Sequence, residues 1–160
     1  MQLLNRSTNM EEKMRVNRTI SILYRLGHMY FDRDLEPYQI GSGQQFFLLT
    51  IGKNPGISLY ELAQHGCYDK GTTTRAVRKL EEEGFIQRVI DTRDKRYHQL
   101  YITEKAERLI PVIEQSLEDW NAIITDGLDE KQQESLIQLT EQLAINASKA
   151  VMKDRKRDKE

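Results

Sequence analysis

Between residues 69 and 103 the chain reads DKGTTTRAVRKLEEEGFIQRVIDTRDKRYHQLYIT, and few folds accommodate that order of helix, stop and ribbon. Asp69 has the short carboxylate side chain that N-caps favour, helix-forming residues run from about Thr72 to Glu83, and Gly84 supplies the stop. At ~100° per residue, Thr73, Ala76, Val77 and Leu80 share one side of this helix, the side that packs on a core. Gly71, Thr74, Arg75 and Arg78 fall on the other. After the glycine, Phe85 to Ile90 and Gln99 to Thr103 are rich in β-branched and aromatic residues, which half-buried strands favour. Between them, Asp91 to His98 form a hairpin tip with three cations in four positions, Arg93, Lys95 and Arg96. Asp94 is the nearest group to hold Arg96 in place.

A helix face made of a glycine, a hydroxyl and two guanidiniums suits the major groove of duplex DNA, where Arg pairs with guanine edges or phosphates and Thr with either. Basic side chains on an exposed tip suit phosphates or the narrow minor groove. The candidate DNA contacts are Lys70, Thr72, Thr74, Arg75 and Arg78 on the helix and Arg93, Lys95 and Arg96 on the tip, with Asp94 orienting Arg96. Glu81, Glu82 and Glu83 read as the end of the helix that leaves the groove, because carboxylates repel phosphate. The net charge of −1 hides an asymmetry. From Lys70 to Arg96 eight Lys or Arg stand against five Asp or Glu, a local +3 that leaves −4 elsewhere. A basic patch on an acidic body gives oriented binding and limits non-specific adhesion.

The flanks are helical. Val16, Ile20, Leu23, Gly27, Tyr30 and Phe31 recur at spacings of three and four, so a long helix runs from about Met10 to Asp34. Tyr24, His28 and Phe31 form a second stripe beside the first, so this helix needs two partners. Leu35 to Gly43 reads as a loop. Ser42 with Gln45 has the form of a capping box for a helix from Gly43 to about Gly52, with Phe46, Leu48 and Leu49 inward. KNPG at 53–56 is a turn, and Ser58 with Glu61 opens a short helix with Leu59, Leu62 and Ala63 on its core face. Two short helices joined by a glycine-containing turn, the second basic, make a helix-turn-helix. Past the ribbon, Thr103 caps a helix of about six turns from Ala106 to Ile124. Asp126-Gly127 breaks it, and Asp129 with Gln132 opens a last helix carrying Leu136, Leu139, Leu143, Ala147 and Ala150 on one face. The tail from Lys153 to Glu160 reads as a frayed, solvated end.

A helix-turn-helix followed by a tip reading D-x-R-D-x-R and a strand ending I-T resembles the MarR family of winged-helix transcription regulators. Asp91, Arg93, Asp94, Arg96, Ile102 and Thr103 match its wing pattern, and Leu80, Glu81, Gly84 and Ile86 match the end of its recognition helix. Ala106 stands where the family usually has glycine. The resemblance spans nearly the whole chain and implies release from DNA by a small molecule.

The expected architecture is mostly α with a small β wing: a DNA-binding lobe at 37–103, and a helical dimerisation region at 1–36 and 104–160. The apolar stripes of the long helices exceed what one small lobe covers, which points to a two-fold homodimer on a pseudo-palindromic operator, in the role of repressor. Tyr24, His28, Phe31 and Phe47 are the aromatic residues best placed for a pocket that takes a small aromatic or phenolic anion. The alternative, a winged helix used only for protein contact, calls for an apolar outward face, and Thr74, Arg75 and Arg78 argue against it. No apolar run is long enough to span a membrane and the N-terminus has no secretory signal. One cysteine, Cys67, fits a reducing bacterial or archaeal cytoplasm and is expected as a small buried residue. His28, His65 and His98 lack metal-ligand spacing, and no G-x-S-x-G, P-loop, H-E-x-x-H or C-x-x-C occurs, so no cofactor, metal or enzyme activity is expected.

Overall fold

A computed structural model describes residues 2–90 and 98–157, with side chains described for 14–90 and 98–151. Its contacts divide the chain into two compact units, one reaching Trp120 and the other starting at Asn121. In the first unit, α1 (Gln2–Leu35) leads through a 3-10 turn (Glu36–Tyr38) into α2 (Ser42–Lys53). Then come β1 (Ile57–Ser58), α3 (Leu59–His65), α4 (Lys70–Glu82), β2 (Ile86–Ile90), β3 (His98–Ile102), α5 (Glu104–Glu107) and α6 (Ile110–Ile124). The second unit holds the end of α6 and α7 (Glu130–Arg157), opened by the Asp129–Gln132 box: Gln132 N–H donates to Asp129 Oδ1 at 2.9 Å, and Asp129 N–H to Gln132 Oε1 at 3.0 Å.

The sheet has three antiparallel strands in the order β1-β3-β2, with Ile57 opposite Leu100 and the wing pair running from Ile86–Ile102 to Ile90–His98. Strand β1 was not foreseen from the sequence. Two residues give no readable alternation, and the pairing depends on the KNPG turn delivering Gly56, whose N–H donates to Leu100 O at 2.8 Å. Gly56 sits at φ +85°, in the left-handed region that glycine enters without steric cost.

The core lies where α2, α3, α4 and the sheet meet. Phe47, Leu48, Ile51, Leu62, Val77, Leu80, Phe85 and Leu100 are at most 2 % exposed. Leu35, Ile40 and Ile113 close the same cluster from the flanks. Trp120 covers Gly27 of α1, where an added Cβ would lie 3.6 Å from the indole, and it stacks on Tyr30 with centroids 5.1 Å apart.

Five local expectations change. Helix α1 starts at Gln2 rather than near Met10, because residues 2–9 contain neither glycine nor proline to stop it. Helix α2 is capped at Gly41, whose N–H donates to Gln44 Oε1 at 3.0 Å, not by a Ser42–Gln45 box. Ser42 is engaged elsewhere: its Oγ is hydrogen-bonded to His28 Nδ1, 2.6 Å away, and its N–H donates to Asp32 Oδ1 at 2.7 Å. The buried face of α2 shifts by one residue with the cap, to Gln44, Phe47, Leu48 and Ile51, leaving Phe46 and Leu49 half-buried. The single helix expected from 104 to 124 is two. The chain breaks at Arg108-Leu109 because Pro111 lacks an N–H and its ring would clash with the Glu107 carbonyl, so it is accommodated only in the first turn of a new helix. Thr103 does not cap with its side chain; its Oγ1 donates to Gly84 O at 2.7 Å and ties this junction to the end of α4. Ala106, with 0 % exposure, sits inside α5 without difficulty.

Candidate nucleic-acid interface

Helix α3 starts from a complete box, with Glu61 N–H donating to Ser58 Oγ at 3.2 Å and Ser58 N–H to Glu61 Oε2 at 2.9 Å. It ends at Gly66-Cys67-Tyr68. Cys67 is exposed at φ 55°, not buried as expected, and Tyr68 N–H donates back to Ala63 O at 3.0 Å. The left-handed position falls on the cysteine because the glycine serves another purpose. A Cβ on Gly66 would lie 2.5 Å from the Tyr68 ring and 2.6 Å from Phe46. The turn therefore closes onto an aromatic cluster in which Tyr68 stacks against Phe47 and Phe46, with centroids 4.8 and 5.3 Å away.

Tyr68 delivers the chain to Asp69, the N-cap of α4, whose Oδ1 accepts from Thr72 N at 2.9 Å. The Thr72 hydroxyl, 2.7 Å from Asp69 Oδ2, and then its amide hold the Asp69 carboxyl below its ordinary pKa. The helix ends at Glu83, after which Gly84 takes φ +74°. Thr73 and Val77 are buried at 1 % or less, Leu80 at 0 %, and Ala76 is half-buried, so the inward face is the one the periodicity marks.

The outward face carries Lys70, Thr74, Arg75 and Arg78, all exposed, with Thr72 half-buried beside them. Among the described residues each of these polar side chains except Lys70 has a local partner. Thr74 Oγ1 donates to Lys70 O at 2.7 Å, leaving its lone pairs outward. Arg75 Nη2 donates to Thr72 Oγ1 at 3.2 Å. Arg78 Nε donates to Glu82 Oε1 at 2.7 Å, a bond that also raises the guanidinium pKa above its usual value. The Arg78–Glu82 pair is exposed and follows helical i,i+4 spacing, a contact that solvent screening leaves weak, so phosphate or a guanine edge can replace it.

The acidic end of α4 is tied to the lobe. Glu81 pairs with Arg88 of β2 at 2.9 Å, and Glu83 accepts from Gln44 Nε2 at 3.1 Å with Lys79 3.8 Å away. Lys105 of α5 donates to the Glu83 carbonyl at 2.8 Å and lies 4.0 Å from the Phe85 ring centroid, where its charge complements the C-terminal end of α4. These links fix the angle at which α4 leaves the body. Sequence spacing gave no sign of Lys105 or Arg88 in this role, because both partners are distant in the chain. Arg93, Asp94, Lys95 and Arg96 lie outside the described residues; β2 and β3 bring the chain to the base of that tip.

The four candidate pocket residues divide. Tyr24 and His28 stack with centroids 4.2 Å apart and remain accessible, Tyr24 at 66 %. Phe31 packs against Tyr30 and Trp120, and Phe47 against Phe46 and Tyr68; both are buried. Tyr68 was not singled out in the sequence, yet it joins this group. Burial raises its pKa, and the nearby Tyr24 adds to the rise.

Among the described residues no group of His, Cys, Asp and Glu could hold a metal ion, and no helix is long and apolar enough to cross a membrane.

Residues 42–98 match the model of the MarR family. Over 119 residues the chain is 32 % identical to the uncharacterized HTH-type transcriptional regulator YybA of Bacillus subtilis (strain 168), covering 72 % of this chain and 79 % of that protein. Its structure is similar to the crystal structure of a MarR transcriptional regulator from Methanosarcina mazei Go1, with a TM-score of 0.80, 34 % identity, and 86 % of this chain and 99 % of that one covered. It is also similar to a MarR family regulator from Listeria monocytogenes complexed with 26mer DNA, with a TM-score of 0.79, 26 % identity, and coverage of 83 % and 89 %.

Proposed function

The chain belongs to the MarR family of transcriptional regulators, and we propose that it represses transcription as a homodimer on a pseudo-palindromic operator, reading each half-site with the outward face of α4. The observation that carries this reading is the division of α4 into a buried apolar side and an exposed side of Lys70, Thr74, Arg75 and Arg78, with the carboxylates at its far end paired within the protein. Such a face has positive charge and bidentate donors where DNA supplies phosphates and guanine edges. The Listeria relative is complexed with DNA, which supports DNA as the partner of this chain. Arg93, Lys95 and Arg96 extend the contact from the wing, with Asp94 orienting Arg96.

The dimer is supported by apolar surface. Val16, Ile20 and Leu23 of α1 are 43–50 % exposed, and Leu136, Leu139 and Leu143 of α7 are 38–65 % exposed. Contiguous patches of this kind mark interaction surfaces, and a two-fold partner that supplies the same stripes covers them without a second protein. The dimerisation region is 1–36 with 104–160, and the reading lobe 37–103. Two copies of α4 then enter successive major grooves about one DNA turn, ~34 Å, apart.

Release follows when a ligand favours a geometry with another spacing. Tyr24 and His28 offer an accessible aromatic pair on α1, which suits a small aromatic or phenolic anion. The reading of α4 is tested by gel shifts of Arg75→Ala and Arg78→Ala on the selected operator. Each variant should lose about 1–3 kcal/mol if its side chain makes a good base contact. Wild-type affinity in both folded variants removes α4 as the reading element.

A further inference from the structure

Arg75 and Arg78 face the same way from α4, yet the structure holds them differently. Arg78 is paired directly with a carboxylate, whereas Arg75 donates to a neutral hydroxyl with the Asp69 carboxylate behind it. That hydroxyl is itself constrained. Thr72 Oγ1 gives its proton to Asp69 Oδ2 at 2.7 Å, and Thr72 N–H binds Asp69 Oδ1 at 2.9 Å, so one carboxylate takes both donors of one residue. A threonine hydroxyl has one proton and two lone pairs, and a guanidinium can only donate. The hydroxyl therefore accepts from Arg75 only while its proton points elsewhere, and Asp69 is the group that points it there. Gly71 completes the arrangement. A Cβ at that position would lie 3.1 Å from Asp69 Oδ1 and 3.7 Å from Arg75 Nη1, so the guanidinium approaches the helix start over a residue without a side chain.

We propose that Asp69 and Thr72 are positioning residues for Arg75: the carboxylate fixes the hydroxyl, and the hydroxyl aims the guanidinium before DNA arrives. The inference rests on the reading of α4 as the DNA-contacting helix. Arginine is flexible and loses that freedom when it pairs with a base edge; a side chain already aligned loses less, and its fork meets guanine O6 and N7 in one orientation. Only one nitrogen of Arg75 is engaged among the described residues, so the remaining donors stay available for the base. Asp69 and Thr72 thus set base discrimination without touching the base.

The test compares Asp69→Asn, Thr72→Val, the double variant, Thr72→Ser and Arg75→Ala in the full-length protein. Asparagine caps helices as well as aspartate, but its amide nitrogen cannot accept the Thr72 proton. Valine keeps the shape of threonine and loses the hydroxyl. The quantity read is the ratio of affinities for the selected operator and for versions with single base changes. Asp69→Asn also removes a negative charge and raises affinity for all DNA, so affinity alone does not decide. Melting temperatures should fall only slightly, by the loss of the exposed Asp69–Thr72 hydroxyl bond, with every variant folded. Asp69→Asn and Thr72→Val should each lower discrimination at the base pair that Arg75 reads by about threefold to tenfold, with the double variant no worse than either. Thr72→Ser should restore wild-type behaviour. A loss in Thr72→Val with none in Asp69→Asn would mean that Thr72 contacts DNA itself and would overturn the proposal. So would full discrimination in both variants alongside a loss in Arg75→Ala. If Arg75→Ala itself discriminates as wild type, the reading of α4 through Arg75 fails first, and the positioning role falls with it.

Discussion

Replacing Gly66 by alanine tests how the helix-turn-helix is held together. The glycine has φ −106° and ψ 8°, values open to any residue, so backbone conformation does not demand it. Space does. The new methyl carbon would meet Tyr68 Cδ2 and Cε2 at 2.5 Å and Phe46 Cε1 at 2.6 Å. Both rings must give way, and Phe47, 1 % exposed and in contact with each of them, blocks retreat into the core. Overpacking of this kind costs about 1–3 kcal/mol, and disrupting a ring pair adds about 0.5–1.5 kcal/mol. The reduced freedom of alanine in the unfolded chain offsets about 0.4–1 kcal/mol. A net loss of about 0.5–4 kcal/mol corresponds, at ~2–4 °C per kcal/mol for a chain of this length, to a fall in melting temperature of about 1–16 °C. Cys67→Gly is the companion. It relieves a left-handed residue at φ 55° while adding unfolded-state freedom, and these terms, each of order 1 kcal/mol, nearly cancel. Calorimetry of the two variants decides the matter. Gly66→Ala melting at or above wild type, with Cys67→Gly several degrees higher, would show that backbone conformation governs this turn and refute the argument from ring approach.

Other expectations follow from single contacts. Lys105→Met should lose about 0.5–1.5 kcal/mol in urea unfolding, since it removes the donor to Glu83 O and the cation over Phe85; an unchanged midpoint would deny the link between α5 and the end of α4. Asp32, Glu61 and Asp69 have carboxyls held low mainly by hydrogen bonds, from Ser42 N–H, Ser58 N–H and the Thr72 hydroxyl respectively. Their folded pKa values lie below the unfolded ones, so this stability is complete above pH ~4 and lost as pH falls through the folded values. Thermal melts from pH 7 to 3 should decline only below about pH 4, less steeply in Glu61→Gln, and an identical slope in that variant would contradict the assignment. Sedimentation at micromolar concentration should give twice the 18.8 kDa chain mass, and a stable monomer would remove the two-half-site operator. Aromatic acids or phenols that raise the melting temperature should lose that effect in Tyr24→Ala and should release operator DNA from the wild type; stabilisation that leaves DNA affinity untouched places the switch elsewhere.

The legibility of this chain follows the range of the interactions involved. Asp69, Ser58–Glu61 and Asp129–Gln132 could be read because a cap and its partner are three residues apart, and the inward face of α4 because its period is local. The wing strands were legible from composition and the stop at Gly84. What the sequence concealed depends on distant partners. Ser42 looked like a cap but binds His28 and Asp32, fourteen and ten residues away, so the cap moved to Gly41. Gly66 looked like the residue that turns the chain, yet the rings of Phe46 and Tyr68 require it to be bare, and Cys67 takes the turn. Pro111 was a visible breaker whose effect was masked by an apolar period continuing through it. In the interface, the residue types of α4 were evident, but the Asp69–Thr72–Arg75 chain of bonds and the Glu82 partner of Arg78 emerge only from side-chain geometry.

The central claim, a two-fold reader of a specific DNA sequence, is tested most directly by sequencing the genomic fragments that the purified protein retains, in parallel with an Arg75→Ala, Arg78→Ala double variant. The wild type should enrich a pseudo-palindrome whose half-sites are centred about one helical turn, ~34 Å, apart, and the double variant should lose that enrichment while keeping its fold. Retention of fragments with no shared sequence, or the same enriched sequence from both proteins, would contradict it.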